Sequence, residues 1–268
     1  AADTRPRSAV LLGGIQYDTQ GVSDSTGADS TDYIPLATRL IPEHRGTRRQ
    51  NWGYLPSTRA EVEKVQRLFI QNNIPCTLRT DTAATEEWAK SLGHPSPDVL
   101  HIATHGFFFP EPEQKQQSDL WESGSTFRLS DHPLLRSGLL LAGANKAWTE
   151  GRPLPGREDG ILTAYELSQI NLTGTKLAVL SACETGLGQI RDNEGVFGLQ
   201  RALKMAGVDK IIVSLWQVPD RETADFMQTF YGKWLGGLPV REAFYQTQAA
   251  MRRKYKEAFR WAGFVLVE

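Results

Sequence analysis

Short apolar runs alternate with amphipathic stretches along most of this chain. Ser8 to Gly14 (SAVLLGG), Ile74 to Leu78 (IPCTL), Asp98 to Ala103 (DVLHIA), Ser137 to Gly143 (SGLLLAG), Lys176 to Leu180 (KLAVL), Lys210 to Leu215 (KIIVSL) and Phe264 to Val267 (FVLV) have the length and composition of strands. Between them, Val62, Val65, Leu68 and Phe69 recur at helical spacing on one face. Ser57 or Thr58 is expected to cap that helix, with Glu61 completing a capping box. Thr85 is expected to cap a short helix through Leu92, with Glu86 and Glu87 in its first turn. Further helical patterns cover a turn at 163–167, then 196–205 closed by Gly207, then 221–234 and 241–255.

Apolar strands alternating with amphipathic helices predict an α/β fold. The expectation is a three-layer sandwich of about six mostly parallel strands with helices on both faces. Loops are expected at about 15–55, where 18–32 is almost wholly small or polar, at 107–136, and in a Gly/Pro-rich stretch from about 142 to 160. No internal repeat is visible, so the whole of residues 1–268 reads as one domain.

Composition narrows the function classes. With 40% hydrophobic and 23% charged residues, the chain is an ordinary globular one rather than disordered, collagenous or coiled-coil. Thirty Lys and Arg against 31 Asp and Glu leave a net charge of -1. That offers no basic excess for direct nucleic-acid or membrane-surface binding. No apolar run is long enough to span a bilayer, and the first residues carry no signal sequence, so the expected location is cytoplasmic. The start at Ala1 without Met suggests a piece of a longer chain. Two cysteines, Cys76 and Cys183, make neither a disulfide framework nor a zinc ribbon. Any thiol chemistry must rest on one of them.

In open α/β sheets ligands bind beyond the carboxyl ends of the strands. His105 follows the third strand and Cys183 the fourth, each among small neighbours: Thr104-His105-Gly106 and Ser181-Ala182-Cys183. Were those strands adjacent, imidazole and thiol would face each other, and the backbone N–H groups of Cys183 and Gly106 would be available to an oxyanion. Position alone leaves a second reading open, in which Cys183 is buried filler.

Three segments carry a resemblance: HIATHG at 101–106, LSACETGLG at 180–188 and SLWQVPD at 214–220. Together they resemble the CHAT domain, a caspase-like cysteine peptidase family related to separase and usually fused to tetratricopeptide repeats. LPSTRAEV at 55–62, DGILTAYEL at 159–167, EGVFGL at 194–199 and WAGFVL at 261–266 extend the likeness over most of the chain. The resemblance implies a cysteine endopeptidase with His105 as catalytic histidine and Cys183 as nucleophile. It implies no cofactor and no metal. It makes Asp220 a candidate floor for the pocket of the residue before the scissile bond, where an acid would favour Arg or Lys. The alternative is that Asp220 merely caps the following helix. Glu184 could touch the same basic side chain, or be an exposed turn acid. The implied partners are a protein substrate and an activating protein or a repeat domain in the full-length chain, in a bacterial defence or signalling setting. The loops at 15–55, 107–136 and 142–160 are candidate switch elements. The contrasting reading is a catalytically silent caspase-like scaffold.

Other motifs carry less. His101 and His105 form an H-x-x-x-H pair, but four residues of strand span roughly 13 Å, too far for one metal ion. His101 therefore reads as a core or supporting histidine. Gly186-Leu187-Gly188 lacks the third glycine of a dinucleotide loop, since Arg191 stands there, and Ser181 is in no G-x-S-x-G elbow. Cys76 reads as packing. Phe107 to Phe109 would line a groove or seal a loop base, and Arg252, Arg253 and Lys254 would form a solvated surface.

Overall fold

The structure, a computed structural model, describes residues 5–18, 51–108, 133–151, 156–181, 194–216 and 218–268. Six strands form the central sheet: β1 (Ala9–Ile15), β2 (Cys76–Asp81), β3 (Val99–Ile102), β7 (Leu177–Leu180), β8 (Lys210–Ser214) and β9 (Phe264–Val267). Their order is β2-β1-β3-β7-β8-β9, parallel throughout except for β9, which runs antiparallel to β8. The expected mostly parallel sheet is present. Between β3 and β7 the register pairs His101 with Val179 and Ile102 with Leu180.

Both faces of this sheet are buried, which is why its strands read as continuous apolar runs. Alternate residues serve different cores. Ala9, Leu11, Val99, Ala103, Leu177, Val179 and Ile212 pack under α1 (Pro56–Gln71), α6 (Asp220–Leu235) and α7 (Val240–Lys254). Val10, Leu12, Leu100, Ile102, Ala178, Leu180, Ile211 and Val213 pack on the opposite side. There they meet α2 (Glu86–Lys90), α3 (Ala144–Glu150), α4 (Ala164–Gln169) and α5 (Glu194–Met205).

A second sheet lies on that side, with antiparallel strands in the order β4 (Gly106–Phe108), β5 (Ser137–Leu140) and β6 (Ile161–Thr163). The run at 137–143 is thus a strand, as expected, but of this small sheet. Periodicity reports burial and not which sheet a strand joins. The loop expected from 142 to 160 contains α3, whose Ala144, Ala147 and Trp148 are buried. Those three fall at helical spacing, a signal overshadowed by the glycines and prolines around them.

Local capping was legible in part. Thr85 caps α2 by accepting from the Trp88 N–H at 3.2 Å. Gly207, at φ +98, closes α5: its N–H donates to Lys204 O, and the Val208 N–H donates to Leu203 O. The capping box expected at Thr58 and Glu61 is absent. Helix α1 begins at Pro56, with Leu55 as its cap residue and no side-chain cap. The Thr58 hydroxyl instead donates to Leu55 O at 2.8 Å and accepts the Gly14 N–H at 2.9 Å, joining the helix start to the end of β1. Glu61 turns into the core to meet His101.

Candidate active site

Strand order reverses between β1 and β3, since the chain passes from β1 outward to β2 and then returns to β3 on the other side. Such a reversal opens a crevice at the carboxyl ends of the strands. Tyr17 follows β1 there, and His105 follows β3. His105 is 6% exposed and its imidazole packs against two tilted aromatic rings, Tyr17 at 5.1 Å and Trp52 at 4.9 Å between centroids.

Hydrogen bonds orient it. Nε2 of His105 lies 2.8 Å from the carbonyl oxygen of Gly53. A carbonyl only accepts, so Nε2 carries the proton and Nδ1 is the basic nitrogen of the neutral ring. Burial holds the His105 pKa below its ordinary 6.5, against a smaller upward pull from the Gly53 carbonyl, so the ring is neutral at pH 7. The backbone is held as well. The His105 N–H donates to the Tyr17 hydroxyl at 3.3 Å, Tyr17 and Thr104 share a hydrogen bond of 2.8 Å, and the Thr104 hydroxyl donates to Leu140 O at 2.5 Å. Because Thr104 gives its proton to Leu140, Tyr17 gives its own to Thr104, and the relay closes without an orphan donor. Burial pushes the Tyr17 phenol up to about 12, so it stays protonated in this role.

Gly106 begins β4. The Leu140 N–H donates to His105 O at 2.9 Å. In a trans peptide the next N–H points opposite to that carbonyl, so the Gly106 N–H faces away from β5. Since β4 is the edge of its sheet, no strand lies on that side among the described residues. Phe107 is buried and packs 5.5 Å from Trp148, while Phe109 lies outside the described residues.

Cys183 and Glu184 lie outside the described residues. The chain leading to them is held by β7, and the Ser181 N–H donates to Ile102 O at 3.1 Å, one strand over from the segment that carries His105. Asp220 is exposed and is the first residue of α6; Pro219 holds the cap position and no side chain caps the helix. Its charge is favourable in that first turn. Cys76 is half-buried in β2, and burial pushes its thiol up to about 12, which fits packing rather than reactivity.

His101 does not join the site. It faces the other side of β3, fully buried, with Nε2 2.9 Å from Glu61 Oε1 and Nδ1 3.1 Å from the Tyr231 hydroxyl. It ties α1 and α6 to the sheet.

Sequence reasoning missed three residues that contact His105, namely Tyr17, Trp52 and Gly53, and Asn145, which bonds to Trp52 and Tyr17. The first three fall in the loop expected at 15–55 and the last in the one expected at 142–160. An isolated tryptophan in a polar stretch was the one available signal for Trp52.

Relatives among characterised proteins are distant. Tetratricopeptide repeat protein 28 of Homo sapiens and that of Mus musculus are each 24% identical over 225 residues, 81% of this chain. The chain spans only 8% and 9% of their lengths. A crystal structure of the Arg-specific cysteine proteinase gingipain R aligns over 97% of this chain and 46% of its own, with a TM-score of 0.49 and 10% identity. That likeness is too remote to bear on the chemistry. The CHAT domain model, in contrast, matches residues 4–268. Nearly the whole chain is covered, and it belongs to the CHAT domain family.

Proposed function

We propose that this domain is a cysteine endopeptidase acting through a Cys183–His105 dyad. The observation that carries the reading is the state of His105. It is neutral, packed against two aromatic rings, and anchored through Nε2–H on Gly53, so Nδ1 is the nitrogen able to take a proton. The parallel pairing of β3 with β7 adds support. Cys183 lies two residues beyond Ser181, within about 7 Å of chain.

In the proposed reaction His105 takes the Cys183 thiol proton, and the sulfur attacks the substrate carbonyl carbon. The carbonyl electron pair moves to oxygen, which the N–H groups of Gly106 and Cys183 stabilise. Collapse breaks the C–N bond, and the imidazolium gives its proton to the leaving amine. Water then attacks the thioester, losing a proton to His105, and the thiol departs reprotonated. Asp220 and Glu184 would favour Arg or Lys before the scissile bond. A partner, or repeats elsewhere in a longer chain, would activate the domain in the cytoplasm, in a defence or signalling role.

The test is to map cleavage sites in a proteome treated with wild-type and Cys183→Ala protein, with and without the full-length chain's partners. The reading expects cuts that vanish in Cys183→Ala and fall after Arg or Lys. Undiminished cleavage by Cys183→Ala sinks the peptidase reading, and cuts after other residues remove Asp220 from the pocket. A catalytically silent scaffold would yield no cuts under any condition.

A further inference from the structure

The two rings packed against His105 belong to segments far apart in sequence, and one buried residue joins those segments. Asn145, in the first turn of α3, is 3% exposed. Its Oδ1 accepts the Trp52 N–H at 2.8 Å. Its Nδ2 donates to Trp52 O at 3.1 Å and to Asp18 Oδ1 at 2.7 Å. Its own backbone N–H donates to Tyr17 O at 3.0 Å. One donor and two acceptors around a single amide leave only one orientation that satisfies all three. The carboxamide thus pairs with both backbone groups of Trp52, as a neighbouring strand would.

Gly53 is the next residue, and its carbonyl is the acceptor for His105 Nε2–H. A glycine in a segment outside any helix or strand has no side chain to hold it, so its carbonyl points where its neighbours fix it. On the far side Thr58 anchors Leu55. On the near side Asn145 is the anchor.

We propose that Asn145 is the positioning residue of the dyad: by clamping Trp52 it aims the Gly53 carbonyl, and so sets which nitrogen of His105 is basic. This rests on the peptidase reading for its catalytic meaning but not for its geometry. Asn145 touches no reacting atom. The effect of its side chain passes through the Trp52–Gly53 backbone.

The test uses the 268-residue chain labelled with ¹⁵N-histidine, whose five histidines give a sparse spectrum. His101, held by Glu61 and Tyr231 on the other face of β3, reports the fold independently. In the wild type, His105 is expected to show a protected Nε2–H signal at pH 7. In Asn145→Ala that signal is expected to vanish while the His101 signals persist. Asn145→Asp keeps the acceptor and removes both donors at equal volume, and is expected to weaken the signal in the same direction. On a cleaved substrate, kcat should fall on the order of 10²-fold with KM little changed.

An unchanged His105 signal in Asn145→Ala overturns the proposal. So does loss of the His101 signals in both variants, which would assign Asn145 to the fold alone, and so does a lost His105 signal with kcat intact. If Cys183→Ala leaves cleavage unaltered, the peptidase reading falls, and the imidazole signals still decide whether Asn145 sets the His105 tautomer.

Discussion

At the scale of single residues, the protein contrasts two histidines four positions apart. His101 and His105 sit on the same strand and just past it, yet their partners are a carboxylate and a phenol in one case and a carbonyl between two rings in the other. Only the second stands past the carboxyl end of β3, at the crevice. Burial lowers the His105 pKa below 6.5, so its base form persists until the pH falls through that lowered value. The acid limb of kcat/KM is therefore expected to have its midpoint below 6.5, read from rates on a cleaved peptide across pH. A midpoint at or above 6.5 would mean that His105 is solvated or charge-paired in the proposed peptidase. The same shift weakens the fold in acid. The unfolded chain takes up a proton at 6.5 and the folded one only lower, so stability drops as pH falls across that interval.

Helices and strands meet here through close backbone approaches. The start of α1 lies directly on Gly13 and Gly14 at the end of β1, and Thr58 links that contact to Leu55 O. A Cβ at Gly13 would come within 2.8 Å of both the Thr58 carbonyl oxygen and Val62 Cγ1. Gly13→Ala is expected to destabilise by about 1–3 kcal/mol, because backbone cannot yield as a side chain can. Thermal or denaturant unfolding checks this, and a neutral result would show that α1 can shift away. The element scale is also where sequence reading did best and failed most instructively. Thr85 and Gly207 cap their helices through bonds local to the chain. Thr58 and Glu61 have the spacing of a capping box, but their side chains are taken by Leu55, Gly14 and His101. A buried histidine and a strand end outweighed a local cap worth about 1 kcal/mol.

Across the whole molecule, α2, α4 and the residues before β6 bring a group of acids around one lysine. Lys90 bridges Glu86 at 2.8 Å, Glu166 at 3.0 Å and Glu158 at 3.2 Å. Burial, with repulsion from Asp159 and Glu166, raises Glu86 to about 8 from an ordinary 4.5. The folded state thus keeps a proton that the unfolded chain has released. The contribution of Glu86 to stability is complete below 4.5 and is lost as pH rises through about 8. Glu86→Gln is expected to flatten the decline of the unfolding midpoint over that range. A variant retaining the wild-type slope would place the proton on another group.

The sequence by itself determined the layered α/β class, most strands and helices, and His105 as a residue at a strand end. Each depends on interactions between near neighbours in the chain or on the simple demand that apolar faces be buried. Only the tertiary structure decided that the run at 137–143 belongs to a second sheet, that Glu61 serves His101, and that Asn145, Trp52, Gly53 and Tyr17 build the surroundings of His105. Those residues come together from segments up to 128 positions apart, between Tyr17 and Asn145. No period or spacing encodes such a meeting, because backbone carbonyls and single amides act through geometry and leave no pattern in residue type.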